Sequence, residues 1–154
     1  MENAGVSDLR PILLVEDNPR DLELTLAALA KCQLANEIVI ARDGAEALDY
    51  LYARNAFEGR DPGAPSVVLL DLKLPKMDGL EVLSIIKNDP QQKHIPVVML
   101  TSSREERDVL TSYEIGVNAF VVKPVDFNAF FEAIQDLGMF WAVLNEPPPR
   151  GNNA

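Results

Sequence analysis

Five short apolar runs recur along the chain: Ile12-Leu13-Leu14-Val15, Ile38-Val39-Ile40, Val67-Val68-Leu69-Leu70, Val97-Val98-Met99-Leu100 and Phe120-Val121-Val122. Runs of this length without polar interruption suit strands buried on both faces, as in a parallel sheet. Helix-spaced apolar residues follow them. Pro19 suits a first helical turn with an Asp or Asn cap before it, and Leu22, Leu26 and Leu29 then recur at helical spacing, with Leu24 and Ala27 widening the face. Asp43-Gly44 opens a second helix with Ala47, Leu48 and Leu51 on its stripe, and residues 57–65 are rich enough in Gly, Pro and charge to predict a surface loop. Asp78-Gly79 caps a third helix with Leu80, Leu83 and Ile86 inward, stopped by Asp89-Pro90. Ser103 with Glu106 fits a capping box for a polar helix over 104–115. Asp126 caps a last helix whose stripe is Phe127, Phe130, Ile134, Leu137, Trp141 and Leu144.

A β-α unit repeated five times predicts an α/β fold: one flavodoxin-like (βα)5 doubly wound parallel sheet in strand order 2-1-3-4-5, with right-handed crossovers. The expected layout is a flexible stretch over 1–9, one domain over 10–144 and a Pro-rich, polyproline-like arm over 145–154.

The strand ends carry the chemistry. The first run ends in Glu16-Asp17, the third in Asp71, the fourth in Thr101 and the fifth in Lys123. In a parallel sheet these ends share one edge, and the first and third strands meet at the switch point where ligands bind. Pro75 forces the chain out of the sheet just after Asp71. Three carboxylates at one crevice raise one another's pKa unless a cation neutralises them, and hard oxygen ligands select Mg²⁺ (or Mn²⁺). A metal beside Asp71 shields an incoming phosphoryl group from the acid's charge, a carboxylate can form an aspartyl-phosphate, and Thr101 and Lys123 can bind phosphoryl oxygens.

Charge narrows the partners. The formal net charge is −10 and the sequence pI about 4.5, a field that repels nucleic acid and anionic membranes. One cysteine, Cys32, and one histidine, His94, exclude a disulfide within the chain and a multi-histidine metal site. His94 is expected in a solvated loop. No signal-like leader and no apolar run long enough to span a bilayer are visible, so a cytoplasmic location is expected. Apolar residues around Phe140, Trp141, Val143 and Leu144 are too many for one helix face beside a Pro-rich arm, which predicts a dimer or partner surface.

Val15-Glu16-Asp17-Asn18, the stretch from Leu69 through Asp71, Lys73, Pro75 and Met77 to Gly79, Leu100-Thr101-Ser102, and Phe120-Val121-Val122-Lys123-Pro124 together resemble a response-regulator receiver domain, the phosphoacceptor module of two-component signalling. The resemblance spans roughly Arg10 to Leu137. It implies that Asp71 takes phosphate from a histidine kinase and that Asp17 holds Mg²⁺ directly, Glu16 through water and Lys73 by its backbone carbonyl. It implies phosphoryl binding by Thr101 and Lys123, a switch pairing Thr101 with Phe120, and a cis Lys123–Pro124 bond. Residues 52–65, Ser112-Tyr113-Glu114, and Lys123-Pro124-Val125-Asp126-Phe127 followed by Phe140-Trp141 resemble the single-domain response regulators of cyanobacterial and bacterial phytochromes. That narrower resemblance implies a phytochrome kinase partner and a homodimer through the last strand and helix or the C-terminal arm. Lys123 lies too near Ala154 for a DNA-binding module to follow, so output is expected through protein contact, phosphate relay or phosphate drain. Two alternatives stand beside this reading: a degenerate receiver acting as a phosphorylation-independent scaffold, although none of the five site residues is lost, and a haloacid-dehalogenase-like phosphotransferase, in which Lys73 stands where a second Asp is usual.

Overall fold

The computed structural model describes residues 10–32, 34, 36–60, 63–102, 114–117 and 119–137. Five parallel strands, β1 (Ile12–Val15), β2 (Ile38–Ala41), β3 (Val67–Asp71), β4 (Val97–Thr101) and β5 (Ala119–Val122), form one sheet in the order β2-β1-β3-β4-β5. Every residue of β1, β3 and β4 is buried, whereas edge strands β2 and β5 are only partly so. This is the pattern of a sheet covered on both faces.

The period of two along each strand divides the apolar runs between two layers. Ile12, Leu14, Leu69 and Val98 pack with Leu22, Leu29, Phe130 and Ile134 of α1 (Pro19–Ala30) and α4 (Phe127–Asp136). Leu13, Val68, Leu70 and Met99 pack with Leu48, Leu51, Val82, Leu83 and Ile86 of α2 (Gly44–Leu51) and α3 (Gly79–Asn88).

Local signals placed the helix starts. The side chains of Asn18, Asp43, Asp78 and Asp126 each accept N–H bonds from the first turn of α1, α2, α3 and α4 in turn, caps worth about 1 kcal/mol apiece. Other expectations need correction. Leu24 is 44% exposed and Ala27 is exposed, while Thr25 and Ala28 are buried with Leu22 and Leu29. A residue two positions on stands about 200° around a helix, so Leu24 cannot share the face of Leu22. In α3, Leu80 is half-buried and Val82 takes the fully buried position beside Leu83 and Ile86.

The loop after α2 is more than a solvated connection. A 3-10 turn, Asn55–Phe57, sets Phe57 edge-on to Tyr50 at 5.1 Å. Arg60 lies 4.0 Å over the same ring and donates to the Tyr50 carbonyl at 2.7 Å. Pro65 is buried, and His94 is exposed as expected. Of the polar helix expected over 104–115, Glu114 and Ile115 are helical and the rest lies outside the described residues, as do Ser103 and Glu106. Phe140, Trp141, Val143 and Leu144 also lie outside them. Among the described residues no helix is long and apolar enough to cross a membrane.

Candidate functional site

Register brings the site together. Val15 pairs with Leu70, so Glu16 and Asp71 are the next residues on adjacent strands. Asp71 pairs with Leu100, and Thr101 with Val122, which puts Thr101 and Lys123 one step beyond. The backbone continues the ladder: Glu16 donates to the Ala41 carbonyl at 3.0 Å, Leu72 to Leu100 at 2.8 Å and Lys123 to Thr101 at 2.7 Å. Four strand ends therefore present Glu16, Asp71, Thr101 and Lys123 along one edge.

Carboxylate oxygens of Glu16, Asp17 and Asp71 lie within 4.8 Å of one another. Glu16 and Asp71 are buried, and Asp17 faces solvent. Lys123 reaches across with Nζ 3.0 Å from Glu16 Oε1, 2.9 Å from Asp21 Oδ2 and 3.2 Å from Asp71 Oδ1. The second oxygen of Glu16 accepts the Asn18 N–H at 3.2 Å. Asn18, not Asp17, caps α1, which leaves the Asp17 carboxylate available to the crevice. Thr101 is buried and Phe120 half-buried against the α2/α3 layer. Lys73 is exposed beside a cleft of about 350 Å³ that it lines with Leu72, Leu74, Asp78 and Leu80. The Lys123–Pro124 bond is cis, as expected.

Burial, then the hydrogen bond and charge of Glu16, push the Asp71 carboxyl up to about 7, and the pull of Lys123 offsets this only in part. Burial works against the Lys123 charge, but its hydrogen bonds to Asp21 and Glu16 hold its pKa above the usual lysine value. The ammonium thus stays charged while Asp71 is short of positive partners. Three carboxylates, of Glu16, Asp21 and Asp71, share one lysine, and the Asp17 carboxylate lies beside Glu16 and Asp71. An oxygen-only donor set with that deficit fits a hard divalent cation such as Mg²⁺ or Mn²⁺.

Two contributors were missed in the sequence. Asp21 lies in the first turn of α1, three residues after the Asn18 cap and so beside the end of β1, and its nearness to the cap was the available signal. Gly79 has none. A Cβ on it would lie 2.2 Å from the Asp71 carbonyl oxygen, and its N–H donates to Leu72 at 2.8 Å. The start of α3 is thus pressed onto the backbone that carries Asp71. Gly79→Ala is expected to cost about 3 kcal/mol through overpacking against main chain that cannot yield, read as a lower urea midpoint. An unchanged midpoint would show that the loop relaxes freely.

Known proteins agree with this geometry. The response regulator receiver domain family matches residues 12–135. Response regulator Rcp1 of Synechocystis sp. (strain ATCC 27184 / PCC 6803 / Kazusa) is 42% identical over 130 residues, covering 84% of this chain and 87% of that protein. The structure of the bacteriophytochrome response regulator AtBRR is 73% identical with a TM-score of 0.83, over 90% of this chain and 99% of that one. The Mn²⁺-bound form of Rcp1 aligns at 39% identity and TM-score 0.72, over 91% of this chain and 99% of that one. The phosphorylated cyanobacterial phytochrome response regulator RcpA aligns at 41% identity and TM-score 0.72, over 86% of this chain and 94% of that one. The strand order, the acids at its switch point and these matches agree: the chain belongs to the response regulator receiver domain family, among relatives that include phytochrome response regulators.

Proposed function

We propose that this protein is a single-domain response regulator that accepts a phosphoryl group on Asp71 from a histidine kinase of the phytochrome type. The observation that carries the reading is the buried Asp71 carboxylate, held between the Glu16 and Asp17 acids and the Lys123 ammonium 3.2 Å away. Phosphoryl transfer asks a protein mainly for positioning and charge neutralisation. An Asp71 oxygen forms the new O–P bond as the P–N bond of the donor phosphohistidine breaks. The electron pair leaves on the imidazole nitrogen, which takes a proton from solvent. Lys123 neutralises one phosphoryl oxygen and Thr101 donates its hydroxyl to another. Asp17, Asp71 and the Lys73 carbonyl would hold Mg²⁺ or Mn²⁺, with Glu16 acting through water, and the ion would supply the remaining positive charge. The Mn²⁺ in the Rcp1 structure and the phosphorylation of RcpA support both halves of this reading.

Output follows through protein contact, with Thr101 and Phe120 taking one of two arrangements as phosphate shifts the population. A homodimer through β5, α4 and the C-terminal arm belongs to the same proposal. Phe127 and Phe131 stack at 5.6 Å on α4, both half-buried. Removing residues from Phe140 onward is expected to leave a soluble monomer in light scattering, and a dimer that survives the truncation would exclude the arm.

Intact-mass spectrometry after incubation with acetyl phosphate tests the acceptor. A single Mg²⁺-dependent adduct of about 80 Da on the wild type, absent from Asp71→Asn, is the expected aspartyl-phosphate result. No adduct from either acetyl phosphate or a phosphohistidine donor would leave the scaffold reading in its place.

A further inference from the structure

We propose that Asp21 is a positioning residue for Lys123, holding its ammonium so that one N–H remains directed at the phosphoryl group on Asp71. The inference rests on the phosphoacceptor reading and concerns a residue outside the five strand-end groups.

An ammonium has three N–H donors. Two of them are hydrogen-bonded, to Glu16 Oε1 at 3.0 Å and to Asp21 Oδ2 at 2.9 Å. The third side of Nζ faces Asp71 Oδ1 at 3.2 Å. The two anchors pull in different directions. The Glu16 side chain is fully buried, with its other oxygen fixed by the Asn18 N–H. Asp21 sits in the first turn of α1 at the rim, with its side chain 33% exposed. Its own N–H donates to the capping Asn18 side chain at 3.0 Å, so the cap sets its place.

On phosphorylation, one Asp71 oxygen becomes a bridging ester-like atom and the negative charge moves outward onto the phosphoryl oxygens. Lysine is a point charge on a flexible stem, so its placement comes from its partners. With Glu16 alone, the ammonium is drawn inward onto the buried acids. With Asp21, it is held toward the mouth, where the phosphoryl oxygens arrive. A charge-assisted bond made by a pre-placed donor is the stronger for losing less side-chain freedom.

The test uses the full chain with Asp21→Ala and Asp21→Asn, the second keeping size and cap geometry in case the first folds poorly. Beryllofluoride serves as a phosphoryl probe that needs no group transfer, read by ¹⁹F NMR, beside the rate of acetyl phosphate labelling. The expected result is about a tenfold loss in both for Asp21→Ala and a smaller loss for Asp21→Asn, with Mg²⁺ affinity in calorimetry changed less than threefold. In a Lys123→Ala background, adding Asp21→Ala is expected to cost nothing more, because the lysine through which it acts is gone. The proposal is overturned by beryllofluoride affinity and labelling within twofold of wild type, or by an equal loss with Lys123 already removed. Failure of wild type itself to be labelled sinks the phosphoacceptor reading instead, so the two failures are told apart.

Discussion

Lys123→Met is expected to lower stability in the presence of a chelator by about 3–5 kcal/mol, the range for removing one member of a buried charged cluster. Methionine keeps much of the stem but not the charge, so packing is nearly preserved. What disappears is the only ammonium shared by Glu16, Asp21 and Asp71 among the described residues, and Glu16 and Asp71 are buried where water cannot replace it. Urea unfolding with and without millimolar Mg²⁺ measures the effect. The cation is expected to return much of the loss, because it binds the native cluster and not the unfolded chain. A variant within about 1 kcal/mol of wild type in chelator would show that the acids are already neutralised by protonation.

The second large effect is one of pH. The unfolded-state carboxyl of an aspartate titrates near about 3.9, whereas burial and Glu16 raise that of Asp71 to about 7 in the fold. Between those values the native state binds more protons than the unfolded one, so stability in chelator falls as pH rises from about 4 through about 7. A shift of that size corresponds to roughly 2–4 kcal/mol. Asp71→Asn removes the titrating group, so its stability is expected to stay nearly level over that window and to exceed wild type at neutral pH. Asp43 works in the opposite sense. Its carboxyl is lowered by the Glu46 N–H and by Lys76, and the stability this brings is lost as pH falls below about 4, outside the window in question. The difference between wild type and Asp71→Asn therefore isolates Asp71. Equal slopes for the two would remove Asp71 as the source. Cation binding needs the ionised acid, so apparent Mg²⁺ affinity is expected to drop by up to tenfold per unit below pH 7.

Much of the site could be read from strand ends. Asp71 follows an apolar run and precedes Pro75 by four residues, and that punctuation alone marks the edge of a sheet. The four helix caps were equally legible, since a cap bond spans two or three residues and depends on little else. The face of α1 was not. Its sequence offers an apolar arc from Leu22 to Leu29 wide enough for more than one orientation, and only the sheet beneath decides that Thr25 goes in and Leu24 stays out.

The sequence by itself determined the alternation of strands and helices, the starts of the helices and the identity of the five strand-end groups, because each depends on periodicity or on bonds within a few residues. Tertiary structure alone decided three things. Lys123 is shared with Asp21 across 102 positions of chain, Gly79 has no room for a Cβ against Asp71, and burial outweighs the expected repulsion among the acids in raising Asp71. Each follows from distances between elements remote in sequence, and from water excluded by their packing, which no local pattern of residues encodes.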